Sequence, residues 1–242
     1  MKRFFYFFMA LGFLLCLNAI VEAKDYKAAI IQTPTNDIYP VLIQAIARET
    51  NNNIEIEIVP SARAINLIEN NEVDLICPAT ENNNPKKSAA LKYDFSRVSL
   101  FKNPFVLYIS KNKNIDIETL KKGNPQKYQI ETTASLSDLF EFEPLISFNV
   151  EGSFKKVDVG RIDGFIYPQG AGDPVVKRLG LKNIRRQLYS QINVVFGIQK
   201  GAKGDEVDKM LTKGIQKLKE NGKLDKIIEL LLKSSKYDDW QP

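Results

Sequence analysis

Residues 60–80 read PSARAINLIENNEVDLICPAT and follow the alternating stretch IEIEIVP at residues 54–60. Strict alternation of apolar and polar residues predicts a strand with one buried face. After it come apolar residues at helical spacing, a polar turn, and the apolar run VDLIC, which predicts a buried strand. A strand, a helix and a second strand in this order favour a parallel sheet with a crossover helix.

The same pattern extends towards the amino terminus. YKAAIIQT at residues 26–33 is rich in apolar and β-branched residues and predicts a buried strand. PVLIQAIARET at residues 40–50 predicts a helix that starts at Pro40, since proline suits the first position of a helix. Residues 26–80 therefore predict an α/β unit of three strands and two helices.

After a further strand at residues 105–110 the pattern restarts. SFKKVDVGRIDGFIYPQG at residues 153–170 repeats the arrangement of residues 62–80: a helix, a short turn and a strand that opens with an aspartate. QINVVFGIQKG at residues 191–201 predicts the strand that carries the chain back. Residues 205–233 predict an amphipathic, core-facing helical region that Gly222 interrupts.

Residues 1–23 predict a cleaved secretory signal peptide. They begin with Lys2 and Arg3, continue with an apolar run and end with small residues, and the run is short for a membrane span. The alternative is an uncleaved membrane anchor. The charges of the whole chain, net +5, are interspersed, which does not favour nucleic-acid binding.

The chain has no histidine and two cysteines, Cys16 and Cys77. Without histidine, serine–histidine and cysteine–histidine catalysis is excluded, and a zinc or copper site is disfavoured. Signal-peptide cleavage would leave Cys77 alone, so no disulfide is expected within the mature chain. We therefore predict no catalytic residue, no metal ligand and no cofactor.

The ordered set of segments resembles the family 3 extracellular solute-binding proteins. The matching segments are the two repeated pieces above, DFS at residues 94–96, IDIETLKKG at 115–123, GRIDGFI at 160–166 and the closing helical region. The resemblance implies an α/β type II periplasmic-binding fold, with residues 24–110 and 195–242 in lobe 1 and residues 111–194 in lobe 2. It also implies a periplasmic monomer that binds a small polar solute and serves the membrane permease of an ABC importer.

Two positions depart from the pattern of amino-acid receptors in this family. Ala89 stands where such receptors carry an arginine that clamps the ligand carboxylate with two hydrogen bonds. Pro168 stands where they carry an aspartate that holds the ligand ammonium group. We therefore expect a ligand other than a plain α-amino acid.

Candidate ligand-binding residues follow from the rule that open α/β sheets bind ligands beyond the carboxyl ends of their strands. The candidates are Tyr39, Arg63, Thr80, Ser96, Arg97, Thr132, Thr133, Ser135, Tyr167 and Gln169. Asp37 is an alternative to Tyr39, and Arg97 is the candidate replacement for the missing arginine. Structural alternatives remain open: an ion pair of Arg63 with Glu69 or Asp74, and simple helix capping by Ser135.

Three functions fit these observations. The first is a receptor that delivers a solute to an ABC importer, with closure of the two lobes on the ligand as its mechanism. The second is a sensor module of the same fold that acts through a separate signalling partner. The third is an enzyme of related architecture, such as a dehydratase, whose acid–base chemistry would rest on carboxylates or lysines.

Overall fold

A computed structural model describes residues 23–32, 38–82, 85–123, 127–234, 236–238 and 240–242. The predicted signal peptide lies outside the described residues except for Ala23, and so does Asp37. The helices are α1 Ile38–Thr50, α2 Ser61–Glu69, α3 Pro85–Ala90, α4 Ile117–Lys121, a 3-10 helix Ala134–Leu139, α5 Val150–Asp158, α6 Gln169–Leu179, α7 Ala202–Glu220, α8 Leu224–Ile227 and α9 Glu229–Ser234. None of these helices combines the length and apolar character needed to cross a bilayer.

Nine strands of the described chain form one sheet. They are β1 Asp25–Ile31, β2 Asn53–Val59, β3 Leu75–Thr80, β4 Tyr93–Phe95, β5 Phe101–Ser110, β6 Ile130–Thr133, β7 Leu145–Ser147, β8 Gly164–Pro168 and β9 Ile184–Gln199. Their order is β2-β1-β3-β9-β5-β8-β6-β7, and β4 pairs with β9. The predicted parallel unit is confirmed, because β1 pairs in parallel with both β2 and β3.

The long strand β9 joins the two halves of the sheet. Its carboxyl-terminal part pairs with β3 and β4, and it pairs with β5 over residues 184–194. The sequence predicted only residues 191–201 as strand, because the preceding residues, IRRQLYS, are too polar for the pattern of a buried strand. The structure extends the strand to Ile184, because the backbone of these residues pairs with β5 and the side chains of Arg185 and Arg186 bond to groups outside the sheet.

Four hydrophobic clusters define two lobes. Lobe 1 has one cluster on each face of β2-β1-β3, and lobe 2 has one on each face of β5-β8-β6. Leu100 and Val195 belong to lobe 1, whereas Phe105 and Ile192 belong to lobe 2. The two hinge strands therefore cross between residues 100 and 105 and between residues 192 and 195.

These crossings differ from the predicted boundaries in two places. Residues 105–109 of β5 lie in the lobe 2 clusters, so the first change of lobe precedes the predicted residue 110. The carboxyl terminus also departs from the prediction, because Tyr237 and Trp240 pack against lobe 2. A division into lobe 1 at residues 23–100 and 195–234, and lobe 2 at residues 105–192, is our proposal from these contacts.

The two lobes repeat one structural device at the start of their central strands. In lobe 1, Asp74 accepts a hydrogen bond from the Lys27 N–H at 2.8 Å, and its own N–H donates to Lys27 O. In lobe 2, Asp163 accepts from the Gln129 N–H at 2.8 Å and donates to Gln129 O. The aspartates that open the two predicted strands thus fix the parallel register of equivalent strand pairs, β1–β3 and β6–β8.

Candidate functional site

The crevice of lobe 1 lies at the carboxyl ends of β1 and β3. The chain leaves β1 through α1, which packs on one face of the sheet, and reaches β3 through α2, which packs on the other face. The connection from β1 leads to β2 on one side of β1, whereas the connection from β2 leads to β3 on the other side. Such a topological switch point opens a crevice at the carboxyl ends of the strands. Thr80 ends β3 at this crevice.

Lobe 2 has the same topology and faces lobe 1. Strand β6 lies between β7 and β8 and is parallel to both, so its crevice lies at the carboxyl ends of β6 and β8. Strand β3 runs antiparallel to β9 and β8 runs antiparallel to β5, so both end near the middle of the hinge strands. Thr80 aligns with Val194, and Pro168 aligns with Phe105, whose other partner is Ser190. The two crevices therefore open towards each other.

Side chains of lobe 1 contact lobe 2 directly across this cleft. The Asn82 side-chain amide donates to Asp138 O at 2.9 Å. Lys87 Nζ donates to Phe140 O at 3.1 Å and lies 3.8 Å from an oxygen of Asp138. At the hinge, the Asn193 amide donates to Glu81 at 2.6 Å. The segment after β3 therefore holds the 3-10 helix of lobe 2 against lobe 1.

Four of the ten predicted site residues are buried. Tyr39 lies in the main core of lobe 1, where burial raises the pKa of its hydroxyl. The Ser96 hydroxyl donates to Val98 O and accepts from the Phe196 N–H. The Thr132 hydroxyl donates to Ile166 O at 2.9 Å. Gln169 donates to Lys236 O at 2.9 Å.

These four assignments are corrected on physical grounds. Each polar group is desolvated, and the hydroxyls of Ser96 and Thr132 and the amide of Gln169 are used for hydrogen bonds within the protein. A ligand could reach them only by breaking those bonds and opening the core. We therefore remove Tyr39, Ser96, Thr132 and Gln169 from the candidate site.

Arg97 is placed away from the cleft. Its backbone N–H and Nε contact Asp208 at 2.8 and 3.3 Å, and Nη2 lies 3.5 Å from Asp205, both on α7. Helix α7 follows the carboxyl end of β9, which lies at the amino end of β3, opposite the crevice. Arg97 therefore anchors the turn after β4 to α7, and we propose that it does not replace the missing carboxylate clamp.

Five predicted residues remain at the carboxyl ends. Arg63 is exposed in the first turn of α2, directly after β2, and Thr80 is half-buried at the end of β3. Asp74, one proposed ion-pair partner of Arg63, instead pairs with Lys203 at 3.5 Å. Thr133 is the last residue of β6, and Ser135 lies in the first turn of the 3-10 helix that follows. Their hydroxyl oxygens are 3.4 Å apart.

Tyr167 is the fifth of these residues. Its ring stacks on Phe165, with centroids 5.2 Å apart and an interplanar angle of 17°, and burial raises the pKa of its hydroxyl. Half of the ring therefore belongs to the aromatic core of lobe 2. Tyr167 is half-buried and lies one residue before the carboxyl end of β8, the end at which the lobe 2 crevice lies.

The sequence analysis missed Glu81, Asn82 and Asp138 as contributors to the cleft. The first two open the polar segment ENNNPKK, which follows directly after β3. A polar segment at the carboxyl end of a central strand was a usable signal for this position. Asp138 had no such signal, because its approach to Asn82 depends on the fold of both lobes.

Two cavities open elsewhere on lobe 1. One of about 340 Å³ is lined by Asp94, Arg97, Asp205 and Asp208, at the end of the lobe away from lobe 2. Two of its three carboxylates, Asp205 and Asp208, are paired with Arg97, so we do not regard it as the site of the predicted ligand. Across the described ranges, no three histidine, cysteine, aspartate or glutamate side chains cluster in a way that suits a metal ion.

Residues 37–232 match the family of bacterial extracellular solute-binding proteins, family 3. The chain belongs to this family. The match spans both lobes and both hinge strands, which agrees with the two facing crevices. Among curated proteins, none matches this solute-binding protein.

Solved structures of other proteins share the two-lobed fold. A substrate-binding protein of an amino acid ABC transporter aligns with a TM-score of 0.58 at 13% identity, over 85% of this chain and 98% of the other. A histidine kinase sensor domain similar to periplasmic binding proteins aligns with a TM-score of 0.63 at 9% identity, over 86% and 96%. A Streptococcus mutans structure described for glutathione import aligns with a TM-score of 0.62 at 14% identity, over 90% and 98%. At these identities the likeness concerns the fold.

Proposed function

We propose that this solute-binding protein captures a small polar solute between its lobes in the periplasm and delivers it to the permease of an ABC importer. The observation that carries the proposal is the pair of facing crevices on two hinge strands. Rotation about such strands closes the lobes around a ligand, and the closed form differs from the open form in the surface it offers a partner.

The proposed site combines Arg63 and Thr80 of lobe 1 with Thr133, Ser135 and Tyr167 of lobe 2. Arg63 offers a planar guanidinium group that can pair with a carboxylate or a phosphate. The threonine and serine hydroxyls both donate and accept hydrogen bonds, and Tyr167 offers an aromatic edge. This set favours a small ligand that carries an anionic group.

The ligand can be identified by a thermal-shift screen with amino acids, organic acids, polyamines and short peptides. A ligand at 100 times its dissociation constant adds about 2.7 kcal/mol of stability, which raises the melting temperature of a chain of this size by roughly 5–10 °C. If every class leaves the melting temperature unchanged, the proposed function is contradicted.

Arg63 is tested with a variant that leaves the fold intact. We expect Arg63→Ala to weaken binding of the identified ligand about 10–100-fold, the loss expected for a charge-assisted hydrogen bond. Arg48→Ala is the matched control, because Arg48 is exposed in the last turn of α1, at the opposite end of lobe 1. Equal affinities of both variants would remove Arg63 from the site.

A sensor function is the second candidate, and the likeness to the histidine kinase sensor domain supports it. In that case closure would be read by a separate signalling partner. Permease and ATPase genes beside the gene of this protein would favour import, whereas a kinase or cyclase gene would favour sensing. Cross-linking of the ligand-loaded protein in membranes would identify the partner directly.

A further inference from the structure

The carboxyl terminus connects the two lobes a third time. Helix α9 belongs to lobe 1, where Leu231 lies in the main core. The described residues that follow, 236–238 and 240–242, pack against lobe 2, and we call them the C-terminal strap. The Gln169 side-chain amide of α6 donates to Lys236 O at 2.9 Å, at the point where the strap reaches lobe 2.

The strap is anchored on a buried arginine of the hinge strand. Arg186 of β9 is 3% exposed, and its Nη1 lies 2.9 Å from Asp173 of α6. Asp238 of the strap brings a second carboxylate, with one oxygen 3.0 Å from Nη1 and 3.0 Å from Nη2. Tyr108 donates to the other oxygen of Asp173 at 2.8 Å. Of the three nitrogen atoms of this guanidinium, Nε alone has no hydrogen-bond partner in the described chain.

Aromatic rings and a strand edge complete the attachment. The guanidinium carbon of Arg186 lies 5.4 Å from the ring centre of Tyr237 and 5.0 Å from that of Trp240. Lys177 of α6 lies 4.2 Å from the Trp240 ring centre. Gln241 accepts from the Arg186 N–H at 2.8 Å and donates to Arg186 O at 3.3 Å, which covers the edge of β9 that has no strand partner in lobe 2.

The attachment is suited to reversible release. The contacts of Lys177 and Arg186 with the aromatic rings are individually weak, and the ion pair of the exposed Asp238 adds only a modest amount. When the strap leaves, Arg186 keeps Asp173 as its partner, so no buried charge loses its only counterion. Release therefore costs less than breaking a buried ion pair.

We propose that the C-terminal strap restrains rotation of the two lobes about the hinge strands. The strap thereby limits how far the cleft between the lobes opens before a ligand binds. A segment that is fixed to lobe 1 by α9 and to lobe 2 by Arg186 limits how far the two lobes can move apart. Strands β5 and β9 alone would allow the hinge to bend and twist. The proposal concerns the cleft of the proposed function and rests on it, but the restraint itself exists without ligand.

The test measures the distance between the two lobes in the ligand-free protein by pulsed electron paramagnetic resonance between two spin labels. Spin labels are placed at Glu72→Cys in lobe 1 and Arg161→Cys in lobe 2, both exposed and in the equivalent turns that precede β3 and β8, at the ends of these strands away from the cleft. The native Cys77 is fully buried and does not compete for the label. The strap variants are Asp238→Asn, Trp240→Ala and a chain that ends at residue 235.

We expect the distance distribution to become about twofold broader in the truncated chain and to broaden partly in each point variant, as hinge freedom increases. Asp225→Asn is the control, since Asp225 is exposed on α8 outside the strap. Distributions of equal width in all folded variants overturn the proposal. If the truncated chain fails to fold, the two point variants decide, because each leaves the Arg186–Asp173 pair in place. A ligand screen that fails while the distribution broadens would contradict the proposed function and leave the strap supported.

Discussion

Lobes 1 and 2 share one topology but use different packing. Lobe 1 covers its central strand with α1, a helix of 13 residues, and its largest core is aliphatic apart from two tyrosines and a phenylalanine. Lobe 2 has the short 3-10 helix at the equivalent position and a core of edge-to-face rings. The ring pairs are Tyr108–Phe154, Phe154–Phe165, Phe105–Phe140 and Phe140–Tyr189.

From this difference we expect the stability of lobe 2 to depend on lobe 1. A six-residue helix buries little apolar surface, so lobe 2 relies on aromatic side chains, each of which buries a large area. It also holds a buried arginine that the strap from lobe 1 covers. The two lobes thus share the order and direction of their strands but are stabilised by different means.

The largest effect is expected from the aromatic core of lobe 2. Phe154→Ala removes a fully buried ring that contacts Tyr108 and Phe165, and should cost about 3–5 kcal/mol of unfolding free energy. Ile43→Ala is the counterpart in lobe 1 and should cost about 2–5 kcal/mol. Denaturant unfolding is followed by far-ultraviolet circular dichroism of the backbone and by near-ultraviolet circular dichroism of the aromatic rings. The fluorescence of Trp240 is not used, because Trp240 lies on the C-terminal strap and would also report release of the strap.

Because β5 and β9 run through both lobes, we expect the two signals to change together in both variants. Separate transitions would mean that the lobes unfold independently, and would contradict the dependence of lobe 2 on lobe 1.

The turn aspartates should have equal effects in the two lobes. Asp74→Ala and Asp163→Ala each remove a hydrogen bond from a backbone N–H to a carboxylate, worth about 1.5–3 kcal/mol of unfolding free energy. Asp225→Ala, at an exposed position, should change stability by less than about 0.5 kcal/mol. A large cost in one lobe alone would show that the repeated contact has different roles.

Ser96→Ala and Thr132→Val test the corrected site. Each removes a buried hydroxyl, and Ser96→Ala leaves the Phe196 N–H without its acceptor, so stability should fall by about 1–2 kcal/mol. Ligand affinity, measured by calorimetry below the melting temperature, should stay unchanged. An affinity loss without a stability loss would return that residue to the site.

The smallest effects come from two exposed ion pairs, one in each lobe. The hydrogen bond from Lys223 lowers the pKa of Glu49, and the hydrogen bond from Arg178 lowers the pKa of Glu151. A carboxyl whose pKa is lower in the folded state stabilises the protein above its unfolded pKa, and this contribution is lost as the pH falls through the folded pKa.

We therefore expect the fall in melting temperature between about pH 7 and pH 3 to be slightly smaller in Glu49→Gln and Glu151→Gln than in the natural protein. Glu55→Gln, at an exposed position of β2, is the control. A steeper fall in either variant would contradict the assigned sign.

Much of the fold was predictable because its signals are local. Alternation in residues 54–59 and helical spacing in residues 61–69 each lie within one element, and β2 and α2 confirm the strand and the helix. The single buried face predicted for the strand is confirmed only in part, because Ile58 is 52% exposed. The repeat of residues 62–80 at residues 153–170 predicted two units of one topology. The equivalent contacts of Asp74 and Asp163 have the same origin, since each lies in the turn between a helix and its strand.

The sequence by itself determined the two α/β units, their order and the strand ends at which a ligand would bind. Tertiary structure alone decided which side chains reach that place. Arg97 pairs with Asp208, which lies 111 positions later in the sequence. Gln169 bonds to Lys236 of the strap, which lies 67 positions later. Periodicity reports the face of an element, but the partner of a polar side chain depends on contacts between distant segments, and buried polar groups take whichever partner the fold brings close.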